Sequence, residues 1–173
     1  MKFNALMVQF RCQTPMGDLT LVASPSGLAG AWFDKQRHLP AALTAQFAGE
    51  NGIWPEQATN PILQEAVKQL TAYFAGQTSD FDLPLDLSAG SPFQQAVWQA
   101  LLVIPRGSTT SYGALSSRIG RPSAVRAVGG AIARNPLSIV VPCHRVIGST
   151  GSLTGYAGGL SRKTALLQLE GVL

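Results

Sequence analysis

A cysteine and a histidine stand side by side in the stretch VVPCHRV, residues 140–146. The 173-residue chain has only two cysteines and two histidines, so the pairing of Cys143 with His144 draws attention to this stretch. The thiolate is the nucleophilic form of cysteine, and a nearby imidazole or cation can lower the cysteine pKa from its usual value of about 8.5. We therefore expect His144 and Arg145 to favour ionisation of Cys143. A small buried cysteine that only packs in the core is the alternative.

An imidazole that accepts the thiol proton needs suitable geometry and a partner. Adjacent side chains of a strand point to opposite sides, so His144 reaches Cys143 only through a turn, which Pro142 and Gly148 permit, or through a bridging water. A carboxylate commonly fixes the tautomer of a catalytic histidine. Glu170 is the only acidic residue after position 90, and it ends a predicted helix over 161–169. It is the candidate partner, with a role in solubility as the alternative.

The charge of the chain is segregated. Residues 1–90 carry five Lys and Arg against eight Asp and Glu, a net charge of −3, whereas residues 91–173 carry eight against one, a net charge of +7. This asymmetry favours a polyanion such as nucleic acid as the partner of the C-terminal part, with solvated surface charge as the alternative. The two cysteines lie too far apart in sequence to suggest a disulfide framework, and free thiols are expected.

The elements that must position these residues fall into two parts of an α/β (α+β) chain. Apolar alternation and turn residues between Phe3 and Phe33 predict a small antiparallel sheet, and a helical stripe after Asn60 predicts a helix that ends near Gly76 and covers the sheet. Residues 77–90 contain turn residues and no helical stripe. We expect an N-terminal domain over 1–76, a connector over 77–90 and a C-terminal domain over 91–173.

The C-terminal part begins with three predicted helices. Ser91 and Gln94 form a capping box for a helix over about 92–104. Ser111 can cap a second helix through Ile119, and Ser123 can cap a third helix that runs to about Arg134. Two short helices joined by a glycine-containing turn are the helix-turn-helix arrangement, which is a weak indication when taken alone.

The third predicted helix has two contrasting faces. Val125, Val128 and Ile132 form the stripe expected to be buried. The opposite arc consists of small residues and two arginines: Arg126, Ala127, Gly130, Ala131 and Arg134. A glycine inside a helix costs about 1 kcal/mol, and small residues let a groove wall or another backbone approach closely. The arc therefore indicates either a nucleic-acid contact or close packing against another helix.

Residues 91–171 resemble the catalytic domain of the methylated-DNA-[protein]-cysteine S-methyltransferases, the O6-alkylguanine-DNA alkyltransferases. The motifs occur in family order: SPFQQAVWQAL, IPRGSTTSYG, RAVGGAIARNP, IVVPCHRVIG, TGYAGG, and RK followed by LLQLEG. The N-terminal part, including YFAG at residues 73–76, is similar but less diagnostic. The resemblance implies a ribonuclease-H-like N-terminal domain and a winged-helix-like helix-turn-helix in the C-terminal domain.

The resemblance also implies a reaction and a site. Cys143 would take a methyl or other small alkyl group from O6-alkylguanine, or from O4-methylthymine, in a single irreversible turnover. Glu170, His144 and a water would form the relay, Tyr112 would donate to the guanine ring, and Asn135 would tie the third helix to the active-site strand. The pocket would include Tyr112, Val146, Tyr156, Ala157, Gly158 and Lys163.

The resemblance assigns double-stranded DNA as the partner. Arg126 would fill the gap left by a flipped nucleotide, from a helix in the minor groove, which is about 6 Å wide and suits small residues. The DNA-contacting set would be Ser111, Arg126, Ala127, Gly130, Ala131 and Arg134. A monomer able to assemble cooperatively on DNA is expected.

Several features are expected to be absent, and several other functions compete. We expect no cofactor, no membrane span, a cytoplasmic location, and no zinc site, since only Cys12 and His38 are available in the N-terminal part. A second reactive cysteine domain upstream is not expected. The alternatives are a non-reactive damage-binding relative, in which tryptophan typically replaces the cysteine, a thiol hydrolase, and a helix-turn-helix regulator. The thiol argues against the damage-binding relative, and the basic C-terminal part argues against the hydrolase. The PCHRV stretch argues against the regulator.

Overall fold

The computed structural model describes residues 3, 6–43 and 54–173. Five strands and five α-helices are found in these residues. In chain order they are β1 (Val8–Cys12), β2 (Leu19–Ser24), β3 (Gly27–Phe33), α1 (Pro61–Phe74), α2 (Pro92–Leu102), β4 (Thr110–Ser111), α3 (Tyr112–Arg118), α4 (Val125–Ala133), β5 (Val146–Ile147) and α5 (Leu160–Leu169). Short 3₁₀ turns cover Ala41–Leu43 and Cys143–Arg145. None of the helices described has the length and apolar character that a membrane span requires.

The first three strands form the antiparallel sheet that the alternation predicts. They lie in the order β1-β2-β3, with Phe10 opposite Leu21 and Leu21 opposite Ala31. All seven residues of β3 are buried because chain covers it on both faces. The edge of β3 that does not pair with β2 pairs with segments that follow later in the sequence, through bridges from Leu28 to Leu85 and from Ala31 to Leu137. The sheet therefore continues directly into the segment that leads to Cys143.

Helix α1 covers the sheet as predicted. Asn60 caps it by accepting from the backbone N–H groups of Ile62 and Leu63, and Pro61 occupies the first turn, where no N–H is needed. The buried residues of α1 are Leu63, Ala66, Leu70 and Tyr73. They join a core that extends without interruption to α2, α4 and α5. The N-terminal part is thus packed against the C-terminal helices.

The connector follows the sheet edge instead of standing free. Leu85 bridges to Leu28, and the Ser24 hydroxyl donates to Asp86 Oδ2 at 2.6 Å. Leu87 and Ala89 are buried. The division of the chain at residues 76 and 91 stays a prediction.

The three C-terminal helices occur, with two corrections at their ends. The Ser91–Gln94 capping box is confirmed for α2, which ends at Leu102 and not near residue 104. Ser111 caps α3 by accepting from Ala114 N–H, as predicted. The prediction that Ser123 caps α4 is wrong, because a turn closed by the bond from Ala124 N–H to Arg121 O precedes the helix and Ala124 takes the capping position.

Helix α4 is rotated relative to the predicted orientation. Val128 and Ile132 are buried, but Val125 is 38% exposed and Ala131, predicted on the exposed arc, is only 4% exposed. The cause is tertiary, since α4 packs on α2 and Trp98 Nε1 donates to Ala131 O at 2.9 Å. The buried face is therefore centred between Ala131 and Val128. Ala131 cannot contact DNA through its side chain, and its predicted place in the DNA-contacting set is wrong.

Candidate active site

The site is a cleft of about 320 Å³ beside α3 and α4, with Cys143 in its wall. Its lining comes from five regions of the chain, namely the turn after β3, helix α3, helix α4, the 3₁₀ turn, and the loop before α5. The lining residues are Arg37, His38, Tyr112, Gly129, Ile132, Ala133, Cys143, Thr154, Gly155, Tyr156 and Ala157. Tyr156 and Ala157 line the cleft as the resemblance implies.

Cys143 begins the 3₁₀ turn that follows the buried run to Val141, and it is 5% exposed. Burial raises the pKa of its thiol, while a hydrogen bond from Asn135 and the charge of Lys163 act in the opposite direction. The expectation that His144 and Arg145 lower the thiol pKa and so favour ionisation of Cys143 is wrong for the resting protein, in which the thiol pKa is raised. Desolvation outweighs the stabilising groups, so the thiol keeps its proton until reaction.

Asn135 organises the backbone around the thiol. Its Nδ2 donates to Val141 O at 2.8 Å and to Cys143 Sγ at 3.1 Å, while its Oδ1 accepts from Leu137 N–H at 3.0 Å. It is 3% exposed and directly follows α4. The side chain thus joins the end of α4 to the active-site segment, and in addition it contacts the sulfur itself.

His144 is fully buried and bound to Glu170, with Nε2 2.9 Å from Oε1. Burial favours the protonated carboxyl of Glu170, but hydrogen bonds from His144, Arg145 and Tyr73 hold its pKa well below the ordinary range. Arg145 donates two hydrogen bonds to this carboxylate, from Nε to Oε2 at 2.9 Å and from Nη2 to Oε1 at 2.8 Å. Glu170 is therefore ionised, and His144 Nε2 carries the proton that it donates to this carboxylate.

The second ring nitrogen of His144, Nδ1, is available to accept a proton. Among the residues that the structure describes, no protein atom hydrogen-bonds Nδ1, although the atom is buried. Burial lowers the His144 pKa, with Glu170 opposing, so the imidazole is neutral at neutral pH. A neutral ring with its proton on Nε2 presents a lone pair on Nδ1, which is the arrangement of a general base.

Tyr112 and Lys163 hold the loop that closes one side of the cleft. The Tyr112 hydroxyl donates to Thr154 O at 3.2 Å. Lys163 Nζ donates to Thr154 O at 2.8 Å and to Val146 O at 2.6 Å, and it also lies 3.5 Å from Gly155 O. Burial lowers the Lys163 pKa from 10.5 to about 8. The loop is thus tied to β5 by a buried amine.

Three residues predicted for the pocket lie behind its wall. Lys163 and Val146 are fully buried, and the Lys163 ammonium group donates a hydrogen bond to the Val146 carbonyl. Gly158 is buried because Tyr156 and Phe33 cover it, and a Cβ there would lie 2.8 Å from the Tyr156 ring. They support the wall of the cleft and do not line it, and the contact of the Val146 main chain with the base and the part of Gly158 in shaping the loop stay predictions.

The exposed face of α4 carries most of the predicted DNA-contacting residues. Arg126 and Ala127 are exposed and Gly130 is half-buried. Arg134 is exposed and folds back, with Nη1 donating to Gly130 O at 3.0 Å. The Ser111 hydroxyl accepts the capping N–H of Ala114. Their contact with DNA stays a prediction.

Sequence reasoning missed three residues at the site, Tyr73, Arg37 and His38, and gave Arg145 a different role. Tyr73 from α1 donates to Glu170, Arg145 binds both oxygens of the same carboxylate, and Arg37 and His38 line the cleft. Arg145 was expected to favour ionisation of Cys143, whereas the structure places its Nε and Nη2 on Glu170. The other three lie more than 65 residues from Cys143 in sequence, so no local spacing connects them with it. In the described ranges no three His, Cys, Asp or Glu side chains group closely enough to bind a metal ion.

The fold and the cleft define a helix-turn-helix protein with a cysteine nucleophile. Residues 92–172 match the family described as "6-O-methylguanine DNA methyltransferase, DNA binding domain", and residues 7–87 match its "ribonuclease-like domain". The chain belongs to the 6-O-methylguanine DNA methyltransferase family.

Named relatives are similar over almost the whole chain. A methylated-DNA–protein-cysteine methyltransferase of Mycobacterium leprae is 48% identical, with 91% of this chain and 88% of that protein covered. Its Salmonella typhimurium counterpart is 43% identical, with 96% and 97% covered. A crystal structure of Mycobacterium tuberculosis OGT in complex with DNA superposes with a TM-score of 0.84 at 45% identity, covering 95% of this chain and 93% of that one.

Proposed function

We propose that this protein repairs DNA by direct reversal, moving a methyl or small alkyl group from O6-alkylguanine to its own Cys143. One observation carries the proposal: the Cys143 thiol faces a cleft beside the helix-turn-helix, next to a neutral His144 that is hydrogen-bonded to an ionised Glu170. The activity named for the relatives is cysteine methyl transfer from methylated DNA. The chemistry needs no cofactor.

The reaction is a single displacement. The Cys143 sulfur forms a bond to the alkyl carbon while the bond from that carbon to guanine O6 breaks, and its electron pair stays on the guanine. The thiol proton passes to His144 Nδ1, directly or through a water, and Glu170 stabilises the imidazolium that forms. Since the thioether has no route back to a thiol, each molecule reacts once.

The leaving guanine needs its developing charge met by a donor. Tyr112 lines the cleft, and burial raises the pKa of its hydroxyl, so the hydroxyl is a protonated donor at neutral pH. Its present acceptor, Thr154 O, is a neutral carbonyl. A guanine ring that gains negative charge is a stronger acceptor, and we expect the hydroxyl to turn towards it.

O6 of guanine lies inside a base pair, so the nucleotide must leave the stack, at a cost of a few kcal/mol. Arg126 and Ala127 on the exposed face of α4, with Gly130 behind them, suit entry into the minor groove, and Arg126 is the side chain proposed to fill the gap. O4-methylthymine is the second proposed substrate. Action as a monomer, cooperative assembly on DNA and a cytoplasmic location are parts of the same proposal.

Titration with duplex DNA that contains O6-methylguanine tests the proposal. With methylated duplex in excess, we expect one methyl group to be lost from DNA per protein molecule, after which the reaction stops. Continued turnover would indicate a hydrolase. Tight binding without loss of methyl would indicate a non-reactive damage-binding protein.

A further inference from the structure

Tyr73 brings the N-terminal part of the chain into contact with the proton relay. It lies in the last turn of α1, is fully buried, and its hydroxyl donates to Glu170 Oε1 at 2.7 Å. The same oxygen accepts from His144 Nε2 at 2.9 Å. Tyr73 and His144 thus meet on one atom, although they come from opposite parts of the chain.

The hydroxyl of Tyr73 is a protonated donor at neutral pH. Burial raises its pKa far above the ordinary value, and its hydrogen bond to Glu170 adds to this effect. Because an ionised carboxylate only accepts hydrogen bonds, every donor on Oε1 takes a share of the negative charge. Tyr73 therefore affects both the position of Oε1 and the charge that His144 experiences.

The ring of Tyr73 is itself fixed by a residue that also holds the end of α5. The Arg106 guanidinium lies over the ring, with 5.4 Å from its central carbon to the ring centroid. Arg106 also donates to Leu169 O at 2.8 Å, one residue before Glu170, and to Thr78 O at 2.6 Å. Arg106 thus packs on the ring of Tyr73 and also holds the end of α5 beside Glu170.

We propose that Tyr73 is a positioning residue for alkyl transfer, which holds Glu170 Oε1 against His144 through its hydroxyl hydrogen bond. The N-terminal part then supplies one component of the relay in addition to supporting the fold. This inference rests on the proposed function, since it concerns the rate of the same transfer. Arg145 still orients the carboxylate without Tyr73, so the effect is partial.

Removal of the hydroxyl has a predictable sign. Among the described residues, the charged groups that act on His144 are Glu170, Arg145 and Lys163, with Tyr73 acting through Glu170 and Cys143 adjacent in sequence. Without the donor from Tyr73, more of the negative charge of Oε1 acts on His144, which favours the imidazolium. His144 then stays protonated up to a higher pH, and in that form it cannot accept the thiol proton. The acidic limb of the pH–rate profile therefore moves to higher pH.

The first test compares Tyr73→Phe with the wild-type protein and with Leu63→Val, a buried change two turns or more away on α1. We expect methyl transfer from O6-methylguanine duplex to be roughly 3- to 30-fold slower in Tyr73→Phe. This is a part of the roughly 10²- to 10⁴-fold rate enhancement that general acid–base catalysis supplies. The acidic limb of Tyr73→Phe should lie at higher pH. Leu63→Val should lower the melting temperature and leave rate and profile unchanged. An unshifted limb, or an equal loss of rate in Leu63→Val, overturns the inference.

A second test does not depend on activity. The chain has two histidines, and His38→Asn leaves His144 as the only imidazole for ¹³C NMR titration, since asparagine tolerates the positive φ of 62° at position 38. We expect the His144 midpoint to rise when Tyr73→Phe is added, and an unchanged midpoint overturns the inference. If wild-type protein transfers no methyl group, the proposed function fails, whereas this titration still decides whether Tyr73 acts on the relay.

Discussion

Replacement of Lys163 by methionine tests whether a buried ammonium group anchors the cleft loop. Its Nζ is the shared donor to Val146 O and Thr154 O, and its side chain has no exposed area. Burial lowers its pKa from 10.5 to about 8. Methionine has a similar length and volume but neither charge nor donor, so the change isolates the amine.

The pKa of Lys163 sets the size and the sign of the effect. At pH 7 the amine is charged in both the folded and the unfolded chain, and burying the charge costs roughly 3 kcal/mol, at 1.36 kcal/mol per pKa unit. Between pH 8 and 10.5 the unfolded chain binds more protons than the folded chain, so stability rises with pH. Wild-type protein should therefore gain about 2–3 kcal/mol over Lys163→Met between pH 7 and pH 10.

Urea unfolding followed by tryptophan fluorescence measures this difference at several pH values. Groups common to both proteins cancel, and Lys68→Met, at a lysine whose side chain is 77% exposed, controls for the loss of a lysine as such. Lys163→Met should also transfer methyl groups more slowly, because the loop at Thr154 loses its anchor. A free-energy difference that does not vary with pH would refute the assignment of a buried, charged Lys163.

Four further substitutions test the remaining parts of the site. Arg126→Ala should slow repair of duplex DNA about 10- to 100-fold, and slow reaction with the free base much less, because the duplex requires nucleotide flipping; equal losses on both substrates contradict the role of Arg126. Ala131→Leu should cost about 1–3 kcal/mol of stability by overpacking. Ala127→Leu should leave urea unfolding unchanged and weaken DNA binding in a gel-shift assay. A loss of stability in Ala127→Leu and none in Ala131→Leu would contradict the observed rotation of α4. Glu170→Gln leaves Arg145 buried beside a neutral group and should cost about 3–5 kcal/mol together with roughly 100-fold in transfer rate; an unchanged pH–rate profile would show that Glu170 does not act on the relay.

The elements that sequence predicts well are those whose reasons are local. The N-terminal strands follow from apolar alternation, and α1, α2 and α3 begin at residues whose side chains cap them. The start and rotation of α4 could not be predicted in this way. The turn before it and the contact of Trp98 with Ala131 are tertiary, and they override the apolar stripe that would bury Val125.

The chemistry of the site divides similarly. Spacing and residue type identify Cys143, His144 and Glu170 as candidates, and the structure brings the latter two into contact. The protonation state of the thiol depends on desolvation by the surrounding fold, so the adjacent His144 and Arg145 predicted a lowered thiol pKa where the structure has a raised one. Tyr73 reaches the relay across 97 positions of sequence, and no periodicity indicates such a contact.

Peptide mapping after one reaction with O6-methylguanine duplex tests the central claim most directly. The two cysteines of the chain, Cys12 and Cys143, fall in different peptides, so the acceptor can be read from the masses. We predict one methyl group on Cys143, none on Cys12, and an unchanged yield in Cys12→Ser. A methyl group on any other residue, or loss of methyl from DNA with both thiols unmodified, would contradict the account.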